Sequence, residues 1–315
     1  MVPSAALKLL LLVNASASSV TARGRVVIQK ALSADHDVTL AETTRRGNAT
    51  RVAQGAAATG TEVVVVLGGD GTLNETANGL AGTGCALAAL PGGSTNVFAR
   101  TIGLPNDPIE ATGELLDALA RRSIRRVGLG SVNGRYFLFH VGLGFDAAVV
   151  AQVERRSALK RYAGHPLFIY AAFATWFRHY DRSRPRFAVR HRDGTLLDDA
   201  YFAVVFNTNP YTYLGNRPLN VAPAATLERG LVAMTVRSMT LGRLVTLAAS
   251  ALSAGERSSG ERLQRLRWVD FRNDIGGLEV RGHGPFPFQV DGDHLGDTES
   301  LSFEHVPDIL DLVLP

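Results

Sequence analysis

Eight consecutive residues, Gly68-Gly69-Asp70-Gly71-Thr72-Leu73-Asn74-Glu75, carry the clearest chemical signal in the chain. Glycines without Cβ let backbone N–H groups close around a bulky anion, and a helix N-terminus behind them favours negative charge. Such a loop is a cradle for phosphate. Asp70 stands awkwardly in it, because a carboxylate repels phosphate at contact distance. It makes sense where a divalent cation lies between the two, or where Asp70 serves chemistry instead of binding. Asn74 and Glu75 either reach a nucleotide or supply polarity to a first helical turn. The loop is not a Walker A sequence, which needs Lys after its last Gly, and it is not the Rossmann fingerprint.

Two further segments could do chemistry. Pro91-Gly92-Gly93-Ser94-Thr95-Asn96-Val97-Phe98-Ala99-Arg100 follows an apolar run, and its Ser94 and Asn96 either hydrogen-bond a ligand or cap a helix. No Gly-x-Ser-x-Gly elbow surrounds Ser94, so it is not an esterase nucleophile. Gln289-Val290-Asp291-Gly292-Asp293-His294 places two carboxylates at what reads as a hairpin turn. These become interesting if the turn faces the phosphate loop. Asp146, in Gly142-Leu143-Gly144-Phe145-Asp146, reads as a helix N-cap. The eight histidines show no metal-ligand spacing.

The elements that must position these groups follow from periodicity. Val63–Leu67 is a continuous apolar run, as a strand buried on both faces requires, and Leu73, Ala77 and Leu80 recur behind it at helical spacing. Strands are predicted at Leu9–Asn14, Asp37–Leu40, Glu62–Leu67 and Cys85–Leu90, with helices near Val20–Ser33, Asn48–Thr59 and Leu73–Leu80. This alternation argues an open parallel α/β sheet, with both Gly-rich turns on its carboxyl edge, where such sheets bind ligands. A helix opens at Asp107, with Pro108 at its first position and Glu110 completing a capping box. Beyond Arg126 short strands dominate: Tyr136–Val141, Phe187–His191, Tyr201–Asn207, Leu231–Arg237, Leu278–Arg281 and Phe286–Val290. They predict a mostly antiparallel β domain, interrupted by helices over Ala147–Tyr180 and Leu241–Leu252. Ile309–Leu314 is one more strand.

Composition narrows the partners. A chain of 315 residues, 46% hydrophobic and 20% charged, is a globular protein large enough for two cores. Its one cysteine excludes an internal disulfide and suits a reducing compartment. The run Leu9–Val13 is too short to span a bilayer and lacks a signal-peptide pattern. Net charge is +4, with arginines and lysines clustered at 121–126, 155–161 and 178–186. They are solvated faces or contacts with an anionic membrane; without a helix-turn-helix, zinc-finger or RNA-binding signature, nucleic acid is not expected.

In order and spacing, Gly68–Glu75, Pro91–Arg100 and Val290–Asp293 resemble the diacylglycerol kinase catalytic-domain family, and within it the bacterial lipid kinases related to sphingosine and ceramide kinases. The similarity runs from Leu12-Val13-Asn14 through Asn133-Gly134-Arg135-Tyr136-Phe137 to the tail. It implies a nucleotide-binding α/β domain over residues 1–127 plus about 304–315, a β-sandwich-like lipid domain over 128–303, and an active site in the cleft between them. It implies ATP as co-substrate with Mg2+. Asn14, Thr43, Gly68, Gly69, Asp70, Gly71, Thr72, Leu73, Asn74, Glu75, Ser94 and Asn96 fall at nucleotide-side positions. Asp70 becomes the organiser of magnesium, directly or through water, and Asp293 falls at the general base, where relatives usually carry glutamate.

The chain departs from the pattern in four places. Asp293 is shorter than glutamate by about one C–C bond, roughly 1.5 Å. Val97 and Gly128 stand where many relatives have aspartates, and Arg229 replaces the aspartate of a structural magnesium site, so that second site is not expected. The reading is an ATP-dependent kinase of a diacylglycerol-like lipid, cytoplasmic and peripheral at the inner membrane face, with a homodimer allowed. Its rivals are a non-catalytic nucleotide or lipid sensor and a kinase of a soluble substrate, such as an NAD kinase. The segment Leu167-Phe168-Ile169-Tyr170 with Phe173, Trp176 and Phe177 is either a lipid-entry rim or a core helix.

Overall fold

In a computed structural model describing residues 6–155, 174–175, 180–252 and 258–315, the chain forms two compact units, Met1–Leu129 with Pro307–Pro315, and Gly130–Val306. The first unit alternates β1 (Lys8–Val13), α1 (Ala22–Leu32), β2 (Asp37–Glu42), α2 (Asn48–Ala58), β3 (Val63–Gly68), α3 (Asp70–Leu80), β4 (Ala86–Pro91), α4 (Val97–Thr101) and α5 (Pro108–Ala120). Its parallel strands pair in the order β4-β3-β1-β2. Every residue of β3 and β4 is buried, which explains their unbroken apolar sequence. The Asp107 carboxylate caps α5 by accepting from Ile109 N–H and Glu110 N–H.

The tail returns to this sheet. Leu312 pairs in parallel with Leu87 of β4, and Leu314 N–H donates to Ser123. Arg126 fastens it, donating from Nε to the Asp308 carbonyl at 2.7 Å and from Nη1 to Asp311 at 3.2 Å. Arg126 of the 121–126 cluster is thus committed to internal structure, and Arg122 pairs with Glu62 at 3.6 Å.

The second unit is antiparallel in its main sheet. After β5 (Ile124–Val132), β6 (Arg135–Phe137) and β7 (His140–Gly144) come α6 (Phe145–Glu154), β8 (Phe187–His191), β9 (Leu196–Ala200), β10 (Phe202–Phe206), β11 (Thr212–Leu214), β12 (Arg217–Leu219) and β13 (Leu231–Val236). Then follow α7 (Leu241–Leu252), α8 (Ser258–Gln264), β14 (Val269–Ile275), β15 (Gly277–Val290) and β16 (Asp293–Val313). The order β14-β13-β10-β7-β15-β16 forms the spine of the sheet, with β8 paired to the first half of β15 and β9 to β8. Period-two alternation sorts the core into two layers. Phe202, Val204 and Phe206 of β10 join Val149, Val153 and Met234 on one face, while Ala203 and Val205 join Phe187, Val280 and Phe286 on the other.

Several boundaries differ from expectation. Tyr136–Val141 divides into β6 and β7, because Asp291 gathers three backbone N–H groups of residues 138–140 there. Leu278–Arg281 and Phe286–Val290 join into the single bulged strand β15. The helix predicted over Ala147–Tyr180 is described as α6, and the aromatic segment 167–177, apart from residues 174–175, lies outside the described residues, as do Arg156, Lys160, Arg161 and Arg178. No helix among the described residues is long and apolar enough to cross a membrane.

Candidate active site

Helix α3 starts three residues earlier than its apolar spacing suggested. Gly69 is the N-cap, and Asp70, Gly71 and Thr72 already form the first turn, so the cradle is a helix N-terminus directly abutting β3. The parallel register pairs Gly68 with Pro91, which brings the second Gly-rich turn alongside. Here glycine is required by close approach. A Cβ on Gly92 would lie 2.8 Å from Gly68 N, and one on Gly93 would lie 2.8 Å from the Gly69 Cα. The two turns therefore pack backbone against backbone and leave no side chain between them.

Asp70 spans the same gap. Its carboxylate accepts from Val97 N–H and Phe98 N–H, both at 3.0 Å, and so sits on the N-terminus of α4. A negative group there is stabilised by charge-assisted bonds and by the helix dipole. Asn96, in left-handed conformation at φ +52°, closes the same turn. Its Oδ1 accepts from Gly93 N–H, while Nδ2 donates to the Gly93 carbonyl and to Asn106. Asn14 Nδ2 donates to Thr72 Oγ1 at 3.0 Å, tying the end of β1 to α3. Thr43 N–H donates to the Val13 carbonyl, placing it at the same edge of the sheet. Ser94 is exposed in the loop, whereas Leu73 and Asn74 are buried in α3. Glu75 turns away: its carboxylate accepts from Gly47 N–H at 2.7 Å and Ala49 N–H at 3.1 Å, capping α2.

This edge fits a phosphate, because the α3 N-terminus and a strip of side-chain-free backbone meet there. It does not fit a metal centre in its own right. Asp70 is engaged with α4, Val97 offers no side-chain ligand, and no group of three or more His, Cys, Asp or Glu among the described residues is placed to hold an ion.

The third segment lies in the second unit. Asp291 (φ +49°) and Gly292 (φ +81°) form the two-residue turn that sequence had indicated, and Asp293 opens β16 opposite Val290. Asp291 is buried, with its carboxylate accepting from Leu138 N–H at 2.7 Å, Phe139 N–H at 2.9 Å and His140 N–H at 3.1 Å. Asp293 is the partly exposed carboxylate of the pair.

Asp146 is not an N-cap. Gly144 (φ +71°) holds that position, and Asp146 lies two residues inside α6, buried. Its Oδ1 accepts from Tyr211 O–H at 2.6 Å and its Oδ2 from Gln289 Nε2 at 2.9 Å. Burial raises its pKa, against the opposing pull of those two bonds. His140 stacks on the Tyr211 ring at 4.5 Å, and burial depresses its pKa to about 3. Sequence reasoning missed Tyr211 and Gln289. The available signal was Gly142, where a Cβ would lie 1.6 Å from Asp146 Oδ2.

A parallel α/β unit whose two Gly-rich turns meet at the carboxyl edge is followed in the chain by an antiparallel unit. Residues 8–132 match the sequence model of the diacylglycerol kinase catalytic domain, and this segment belongs to that family. The chain is 37% identical over 121 residues to the Diacylglycerol kinase of Bacillus subtilis (strain 168), covering 38% of this chain and 39% of that protein. It is 34% identical over 182 residues to a "Probable lipid kinase YegS-like" of Pseudomonas aeruginosa (strain UCBPP-PA14), covering 57% of each. The matches thus span less than two thirds of these relatives. Among solved structures, a diacylglycerol kinase from Bacillus anthracis str. Sterne superposes with a TM-score of 0.74 at 23% identity over 98% of this chain and 97% of that one. An NAD kinase from Archaeoglobus fulgidus in complex with ATP superposes with a TM-score of 0.52 at 10% identity, over 97% and 93%. Both share the fold.

Proposed function

We propose that the chain is an ATP-dependent kinase that transfers the γ-phosphate to the hydroxyl of a diacylglycerol-like lipid. The observation that carries the reading is the paired edge of β3 and β4. There the α3 N-terminus meets the close Gly68–Gly92 and Gly69–Gly93 contacts, an edge of side-chain-free backbone suited to a phosphate chain. Phosphoryl transfer asks chiefly for positioning and charge stabilisation, which such a cradle supplies. In the reaction the acceptor oxygen bonds to the γ-phosphorus, the bond from γ-phosphorus to the β–γ bridging oxygen breaks, and ADP leaves. Asp293 takes the hydroxyl proton. Magnesium would arrive with the nucleotide, carried by phosphate oxygens and water.

Membrane lipid reaches the protein by peripheral contact, helped by Arg121, Arg125 and the arginines at 182–186. The test incubates the purified chain with γ-labelled ATP, magnesium and vesicles carrying diacylglycerol, monoacylglycerol or ceramide in separate reactions. Label in a lipid product, lost in Asp293→Asn, supports the reading. Nucleotide binding without label in any lipid supports the sensor instead, and label on NAD in place of lipid supports the soluble-substrate kinase.

A further inference from the structure

The turn carrying Asp293 is gripped from one side by a single helix. At the start of α6, Asp146 Oδ2 accepts from Gln289 Nε2 at 2.9 Å, and the same amide's Oε1 accepts from Gly292 N–H at 2.8 Å. At the end of α6, Glu154 Oε1 accepts from His294 N–H at 3.0 Å. The two anchored amides belong to residues 292 and 294, the immediate neighbours of Asp293. Gln289 is fully buried, so its amide orientation is dictated by the partners around it. An oxygen must face Gly292 N–H, and the NH2 must then find an acceptor, which Asp146 supplies. Tyr211 O–H holds the other oxygen of Asp146 at 2.6 Å. Gly142 leaves the space, since a Cβ there would collide with both Asp146 and Gln289 Nε2.

We infer that α6 is a splint for the base: Asp146 and Glu154 are positioning residues that fix the backbone on either side of Asp293, and so set the placement of its shortened carboxylate. The inference rests on the reading of Asp293 as general base. A carboxylate one methylene shorter than glutamate has less rotamer reach to correct a misplaced backbone. Displacements of about 1 Å can cost on the order of 100-fold in rate, so a rigid turn matters more here than for a longer side chain. Asp291 locks the opposite side through Leu138, Phe139 and His140, and α6 adds its own restraint beside Asp293 through Gln289 and His294.

The experiment uses the full chain and two readouts. Amide hydrogen exchange by NMR reports the grip directly. Asp146→Ala should accelerate exchange at Gly292 and leave His294 unchanged, and Glu154→Ala should do the reverse. Steady-state turnover with γ-labelled ATP and diacylglycerol vesicles should then fall about 10- to 100-fold in kcat in both variants, with the KM for ATP unchanged. Asp146→Asn should restore most of the rate, because its amide oxygen can accept from Gln289 while its NH2 donates to the Tyr211 oxygen. Should Asp146→Ala fail to fold, Glu154→Ala, at the partly exposed end of α6, carries the test alone. Unchanged amide exchange overturns the splint, and faster exchange at normal kcat overturns its catalytic meaning. Should Asp293→Asn or the wild type itself show that Asp293 is not the base, exchange still reports the grip, and α6 is then a purely architectural support.

Discussion

Replacing Asp70 tests whether its carboxylate builds the cradle or only decorates it. In the structure it accepts from Val97 N–H and Phe98 N–H, both at 3.0 Å, at the N-terminus of a five-residue helix whose Val97, Phe98 and Ala99 are buried. So short a helix cannot hold its own first turn, and burial limits replacement of the lost acceptor by water. Each bond contributes about 1 kcal/mol and removal of a capping acceptor typically costs about 1 and up to about 2, so Asp70→Ala should lose about 2 kcal/mol. Asp70→Asn keeps one acceptor oxygen and should lose about half of that. With a urea m-value of about 2 kcal/mol/M, the midpoint should move by about 1 M for Ala and about 0.5 M for Asn at unchanged m. Lipid labelling should vanish in Asp70→Ala, and calorimetric titration should show ATP affinity falling with it, because the Pro91–Arg100 turn is no longer pinned to α3. Equal midpoints for wild type and Asp70→Ala would refute the capping role. Lost turnover without lost stability would assign the carboxylate to the chemistry alone.

Other perturbations read other parts of the molecule. Gly142→Ala should destabilise by about 3 kcal/mol in urea titration, since its Cβ would stand 1.6 Å from Asp146 Oδ2. Adding Asp146→Ala to it should recover part of that loss, and strictly additive effects would refute the clash. His140 is held neutral by burial, with its pKa near 3 against 6.5 in the unfolded chain, so its contribution is complete above pH 6.5 and is lost as pH falls. Between pH 6.5 and 5 that loss is about 2 kcal/mol; Asp146, raised by burial, acts in the opposite sense, so the slope difference between wild type and His140→Gln isolates the histidine. Burial pushes the Cys85 thiol up to about 11, so a thiol reagent at pH 8 should label it only after unfolding in guanidinium.

Much of the first unit was legible because its signals are local. Buried parallel strands leave unbroken apolar runs, and Asp107-Pro108 announces α5 through chemistry contained in four residues. The strand Phe187–His191 and the helix Leu241–Leu252 were read at their observed bounds for the same reason. Signals that depend on distant partners were not legible. The glycines of Gly68–Gly71 read as a tight turn ahead of a helix near Leu73–Leu80, whereas the helix starts at Asp70 because tertiary contacts with α4 offset poor intrinsic propensity. Glu75 reads as a nucleotide contact or as polarity in the first turn of α3, yet it caps α2 across the helix pair. Gly282 and Pro285 break the sequence pattern of β15 without ending the strand, since the register shift between Arg281 and Phe286 absorbs them, and Pro287 stays in the ladder opposite Asp297. Asp146 looked like a cap because its actual donors, Tyr211 and Gln289, lie 65 and 143 residues away.

A common physical logic runs through these acids. Asp70, Glu75 and Asp291 each direct their carboxylate to backbone N–H groups of a neighbouring element. Such bonds carry direction as well as charge, and each joins segments that the chain order separates. For Asp70 this resolves the conflict raised by its place in a phosphate cradle. The N-terminus of α4 presents roughly half a positive charge to the carboxylate, so the field that a phosphate meets at the α3 N-terminus is less negative than the residue type alone implies. Val97, which brings no carboxylate of its own, contributes to that neutralisation through its N–H. The cradle can therefore keep an acid at its centre while binding an anion, because the acid's charge is directed into the next turn of the protein.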